Sequence, residues 1–440
     1  MSNSHPFIRG TLILTFAGLL SRIIGFFYRI FLSHTIGAEG LGIYHLIFPL
    51  QSLCMALTTA GIQTAISRFV AARSALKDTS GANEMFFGGC GLSLLLSSAA
   101  AMFLHKNAGF ISQVLLAEPR CESLLQLMSW SLPLSTLHSC ISGYYYARKE
   151  TEVPAGMQLL EQTVRVGSSW LACQILLEEG RAVTPVIAVV GMVASEAAAS
   201  LVSLLLLSQR FRTQGYRLKS LWAPFAHLGQ LLTMAAPLTA NRVLLTLLTS
   251  LETILIPGRL RMFGLESAEA LSIYGVLTGM ALPLIFFPST ITNSVSVMLL
   301  PSVARLQALK QYAQIQKNTQ KIIRCCLLMG IGCTMGFFTF SNFFGEILFH
   351  NTMVSSFLRS LAFICPFLYL NSTITSTLHG LGKTSICFLH NVISVSIRLG
   401  FVAFAIPVFG IKGYLWGILL GELVLTLLGC TALFRYLQEK

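Results

Sequence analysis

The sequence is short of charge. Only 11% of its 440 residues are Asp, Glu, Lys or Arg, and 17 acids stand against 30 bases. A soluble domain carries about 25% charged residues to cover its surface. The deficit excludes a water-exposed globule of this size, and with it a soluble enzyme or a secreted disulfide scaffold. Cysteine spacing is equally uninformative for metals. The eleven cysteines lie mostly inside apolar runs without a CxxC, and Cys325-Cys326 is an adjacent pair, so they read as small core residues. No nucleotide-binding loop occurs, and the nine histidines are scattered without paired spacing. No cofactor, no metal site and no catalytic constellation is therefore expected, and the chain does not read as an enzyme. The net charge of +13 has no basic arm or aromatic-interleaved stripe behind it, which excludes nucleic acid as a partner.

Hydrophobic length is what the chain has. Apolar residues make up 54% of it and the mean hydropathy is +0.72. A membrane helix needs roughly 20 mostly apolar residues, and twelve stretches qualify: 10–33, 41–66, 84–104, 122–146, 153–177, 183–207, 228–256, 271–300, 325–345, 360–380, 384–406 and 413–434. The expectation is an all-α integral membrane protein of about twelve transmembrane helices. Lys and Arg number 18 at the termini and even-numbered connections, against seven at the odd-numbered ones. That bias places both termini in the cytoplasm of a multi-pass protein. The basic stretch 303–324, with apolar Val303, Leu306, Leu309 and Ile315, reads either as a helix lying on the membrane surface or as a solvated loop.

The chain also repeats itself. Pro133, Thr151, Gln158, Arg165 and Gly167 recur in the second half, at one constant offset and without a gap, as Pro366, Thr384, Asn391, Arg398 and Gly400. Gly191 with Glu196 matches Gly417 with Glu422, and Arg22 matches Arg242 more loosely. Each half holds an even number of spans, so the halves enter the membrane in the same direction as parallel repeats, a plan that leaves a central cavity. The domains expected are a six-helix lobe at 1–207, a basic linker at 208–227 and a second six-helix lobe at 228–440.

Charges inside spans mark the candidate site, because a Lys, Arg or Asp at mid-membrane costs on the order of 3 kcal/mol and must face protein or water. Arg22 lies twelve residues into the first span, about 18 Å deep at 1.5 Å per residue. Gly18, Arg22, Gly25 and Arg29 form one helical stripe in which the glycines leave room beside the charge. Arg29 lies closer to the span end, where reaching the headgroups competes with substrate contact. Arg242 follows Pro237 in a helix that the proline should bend. Arg165, Glu196, Arg398 and Glu422 sit near mid-membrane and read as ion pairs repeated in each half, or as a coupling site. Glu161, four residues before Arg165, has Ser394 at its repeat position and is a candidate for ion or proton coupling. Glu252 reads as a coupling acid or as a partner for Arg259. Five arginines and no lysine among the candidates inside spans favour an anionic ligand such as phosphate or carboxylate.

The opening two spans carry a resemblance. Ser21-Arg22 with Gly25 and Arg29, then Ile36-Gly37-Ala38-Glu39-Gly40 before Tyr44, Thr59-Ala60-Gly61 and Ser67-Arg68, together with Gly191…Glu196 and Gly417…Glu422, resemble the stage V sporulation protein B group. That group belongs to the superfamily of multidrug, oligosaccharidyl-lipid and polysaccharide exporters, which also holds the lipid II flippases. The resemblance implies two six-helix lobes around a cavity open alternately to each face of the bacterial cytoplasmic membrane. It implies a flippase for an undecaprenyl-linked glycan or lipid II-type peptidoglycan precursor, with Arg22, and behind it Arg29, on the pyrophosphate; the absence of a nucleotide loop makes an ion gradient, of H+ or Na+, or the membrane potential the expected energy source. The alternative is a multidrug or metabolite cation antiporter of the same superfamily. Two departures stand out: twelve spans where lipid II flippases have fourteen, and no acid in the first span where drug exporters carry one.

Overall fold

A computed structural model describes residues 5–213 and 228–438, and within these every regular element is a helix. This is the physical consequence of the composition. With no water in a bilayer core, backbone N–H and C=O groups must be satisfied within the segment, which long helices achieve. All twelve expected spans fall on helical runs. Among the described residues, nine runs are long and apolar enough to cross a membrane. The first of them, Leu12–Ala75, holds both the first and the second span, with the helix His5–Leu46 interrupted at Gly37. Two expected spans, and the end of a third, fall outside those nine. The fourth divides into Cys121–Ser129 and Ser131–Ala147. The fifth, Glu152–Glu178, carries Glu161 and Arg165. The end of the eighth, Ser289–Ala308, is rich in Ser and Thr. The seventh, Leu228–Met262, runs as one helix through Pro237.

The duplication is visible in the backbone. Lys77 and Lys310 both take positive φ, 59° and 56°, as do Ala117 and His350 at 50° and 49°, and Lys149 and Gly382 at 62° and 74°. Each pair is separated by the same offset that relates Arg165 to Arg398 in the sequence repeat. The hydrogen bonds repeat with them. Asp78 N–H donates to Arg73 O and Gln311 N–H to Leu306 O, both at 3.0 Å. Glu150 N–H donates to Tyr145 O at 3.1 Å, and Lys383 N–H to Leu378 O at 2.9 Å. These six-to-one bonds, each beside a left-handed residue, close helix C-termini and satisfy carbonyls that have no partner within the helix.

The same geometry corrects one expectation. Residues 303–324 form neither a surface helix nor a solvated loop. They are the end of Ser289–Ala308, a turn at Lys310, and the start of Tyr312–Thr339. Val303 and Ile315 are buried with Leu299, Ile374, Leu378 and Leu433, so their apolar spacing records packing between helix ends.

The described chain divides into two compact units, residues 1–28 with 46–250, and residues 29–45 with 251–440. These differ from lobes bounded at 207 and 228. Residues 29–45 pack with the second unit: a Cβ on Gly275 would overlap the Ala38 carbonyl oxygen, and one on Gly42 would overlap that of Leu271. Tyr274 Oη donates to His45 O at 3.4 Å. Residues 228–250 pack with the first unit, where Ala235 and Leu231 join the core of Ile66, Phe86, Tyr144 and Leu207. Side-chain packing, rather than chain continuity, sets the boundary. Of the expected linker 208–227, residues 214–227 lie outside the described residues.

Candidate functional site

In the first unit the fifth and sixth spans, Glu152–Glu178 and Val186–Thr213, hold the internal charges. Arg165 forms an ion pair with Glu161, one helical turn away on the same face. Its Nε donates to Ser195 Oγ at 3.3 Å. Glu196, the next residue, is 6% exposed, and its Oε2 accepts no hydrogen bond among the described residues. Its polar neighbours are Ser135, Glu161 and Arg165. His138, on the fourth span, lies 3.2 Å from Ser203 Oγ of the sixth.

The second unit builds a fuller network around Arg398. Arg398 lies 3.2 Å from Glu252 and 3.8 Å from Glu422. Tyr414 Oη donates to Glu252 Oε1 at 2.8 Å, and Asn371 Nδ2 donates to Glu422 Oε2 at 2.7 Å. Thr426 Oγ1 donates to Asn371 Oδ1 at 2.8 Å. Glu252 therefore partners Arg398 and Tyr414, not Arg259 as its position along the chain had suggested. The expected Arg–Glu pair between neighbouring spans is formed here as Arg398–Glu422. In the first unit the ion pair of Arg165 is with Glu161 instead.

Both units thus group two glutamates with one arginine. The second acid comes from different places: from the same helix in the first unit and from the seventh span in the second, where Ser394 occupies the position of Glu161 and donates to Gly421 O at 3.0 Å. Sequence reasoning missed Asn371, Tyr414 and Thr426. The signal for Asn371 was available, because it stands at the repeat position of His138, so both repeats put a polar side chain at that place in the span.

The arginines of the first and seventh spans are placed differently. Arg22 is exposed on its helix, and no atom of the described residues lies within 4 Å of a Cβ built on Gly18, while one built on Gly25 meets Gln162 Oε1 at 3.8 Å. The stripe therefore keeps open space on both sides of the charge. Just beyond it, Tyr28 and Ser169 share a hydrogen bond of 2.8 Å that ties the first span to the fifth. Arg242 is also exposed and belongs to the first unit, whereas Arg29 is half-buried and belongs to the second.

Helical runs of which nine, among the described residues, are long and apolar enough to cross a membrane, with duplicated backbone turns and charge clusters inside them, define a multi-pass membrane protein. The chain belongs to the polysaccharide biosynthesis protein family, which matches it over residues 7–307. It is 26% identical to stage V sporulation protein B of Bacillus subtilis (strain 168) over 98% of this chain and 84% of that protein. Among solved structures it is similar to lipid II flippase MurJ in an inward closed conformation, with TM-score 0.73 and 13% identity over 96% of this chain and 87% of that one. It is similar too to an inward-facing multidrug resistance MATE family transporter, with TM-score 0.71 and 14% identity over 96% of this chain and 95% of that one.

Proposed function

We propose that the protein is a flippase of the bacterial cytoplasmic membrane that moves an undecaprenyl-linked oligosaccharide or lipid II-type peptidoglycan precursor by alternating access, with both termini in the cytoplasm. The observation that carries this reading is Arg22. It is a permanently charged, planar donor placed mid-span on a helix face that Gly18 and Gly25 keep open, which suits a pyrophosphate approaching from the side. Arg242, of the same unit, adds positive potential to the same ligand. The lipid tail stays in the bilayer throughout. The likeness to a lipid II flippase supports the reading at the level of fold.

The likeness to a multidrug transporter supports a second reading, a cation antiporter. Against it, residues 12–36 of the first span contain Arg22 and Arg29 and no acid, so a cationic drug would meet like charge there. Complementation separates the two. In bacteria depleted of their lipid II flippase, this chain should restore growth, and Arg22→Ala, expressed to equal membrane levels, should not. Rescue by both proteins removes Arg22 from the site. Absence of rescue by the wild type, together with drug efflux from intact cells, replaces the flippase with the antiporter.

A further inference from the structure

The two charge clusters have the same composition, and their carboxylates are served unequally. In the second unit both glutamates accept hydrogen bonds from neutral donors, Tyr414 on Glu252 and Asn371 on Glu422, and Arg398 lies within ion-pair distance of both. In the first unit Arg165 is engaged by Glu161 and Ser195, and the Oε2 of Glu196 is buried with no donor among the described residues. With every group ionised this cluster carries one uncompensated negative charge inside a span. A buried lone charge of that kind is costly, and a carboxylate oxygen without a donor loses its hydration for nothing in return.

We infer that Glu196 is a proton-binding site, holding a proton on Oε2 while Arg165 is paired with Glu161, and that its deprotonation draws Arg165 from Glu161 to Glu196. The protonated cluster is neutral: Glu161 and Arg165 cancel and Glu196 is a carboxylic acid. Loss of the proton leaves one negative charge, and the guanidinium moves between two carboxylates one helix apart. Only a proton is exchanged, taken from water at one face and returned at the other, and no bond between heavy atoms changes. The other groups facing Glu196 fit this assignment. The fourth span contributes Ser135 and the fifth Glu161 and Arg165, while His138 of the fourth span meets Ser203 at 3.2 Å and the one charged group on the short helix Cys121–Ser129, Glu122, lies against Gly109. A metal ion needs several oxygen ligands, and the guanidinium beside Glu196 repels it, whereas a proton needs one oxygen.

The role in coupling rests on the transporter reading above; the proton site does not. Infrared difference spectra of the purified protein in lipid, taken across a pH titration without substrate, read the site directly. The carbonyl band of a protonated carboxylic acid should be present in the wild type, lost on raising the pH, and missing in Glu196→Gln. It should also be missing in Glu161→Gln, where Arg165 has only Glu196 to balance and so holds it ionised. A band that survives both substitutions overturns the assignment, as does one that sodium removes at constant pH. In vesicles holding a lipid-linked substrate at zero membrane potential, one coupled proton and a one-unit pH gradient support about a tenfold substrate asymmetry. The wild type should approach that ratio and Glu196→Gln should equilibrate the substrate evenly. Movement that is equally gradient-driven in Glu196→Gln overturns the coupling role. If the band behaves as described but no lipid-linked substrate moves at all, the proton site stands and the flippase reading fails.

Discussion

Replacing Arg398 by Met tests how the second unit holds its charges. The substitution keeps an unbranched side chain of similar reach and removes the cation that faces Glu252 and Glu422 at 3.2 and 3.8 Å. Glu252 is 4% exposed, so water cannot replace the lost partner. Breaking a buried pair from one side costs about 3–5 kcal/mol. Interhelical hydrogen bonds in membrane proteins average about 0.6 kcal/mol, so Tyr414→Phe should cost a small fraction of that amount. Neutralising the acid as well should recover most of the loss, because the new side-chain amide in the double variant Glu252→Gln/Arg398→Met still accepts from Tyr414. Reversible unfolding in detergent micelles measures all four proteins. The expected order of stability is wild type, Tyr414→Phe, the double variant, then Arg398→Met. An Arg398→Met variant within about 1 kcal/mol of wild type, or a double variant less stable than the single, refutes the argument that Arg398 balances these two carboxylates.

Three further outcomes follow from the packing. Gly275→Ala places a methyl group on the Ala38 carbonyl and should cost about 1–3 kcal/mol as overpacking, while Gly18→Ala, with nothing within 4 Å, should leave the unfolding midpoint unchanged. Lys310→Gly relieves a left-handed Lys and should stabilise by about 0.5–1 kcal/mol, and the opposite change at another left-handed turn of the same unit, Gly382→Ala, should destabilise by a similar amount; paired thermal melts check both. Arg22→Ala should retain folding and membrane expression, because its side chain is exposed on its helix, yet abolish growth rescue in the flippase-depleted strain.

Much of the fold was legible along the chain. All twelve spans appear as helical runs because the bilayer admits little else, and the offset read from Arg165 and Arg398 reappears in the turns at Lys77 and Lys310 and at Lys149 and Gly382. The ion pair of Glu161 with Arg165 was also readable, since a four-residue spacing places the two on one helix face. The surface helix at 303–324 was misread because an amphipathic period looks the same whether the apolar face meets lipid headgroups or, as for Val303 and Ile315, another helix end. Asn371 and Tyr414 were overlooked because single polar residues in apolar spans are common, and nothing in their local sequence points to Glu422 or Glu252.

The sequence by itself determined a multi-pass helical membrane protein, where its helical runs fall, the duplication and the presence of arginines inside apolar helices. These are properties of composition and period, which the bilayer reads locally, about 20 residues at a time. Only the tertiary structure decided where the units divide and which acid serves which arginine. The division places residues 29–45 with the second unit and 228–250 with the first, because close backbone approach at Gly42 and Gly275 depends on partners from opposite halves of the chain. The pairing gives Arg398 a glutamate from the seventh span and leaves one oxygen of Glu196 without a donor among the described residues. Charge balance inside a membrane is a sum over helices, and no single helix contains it.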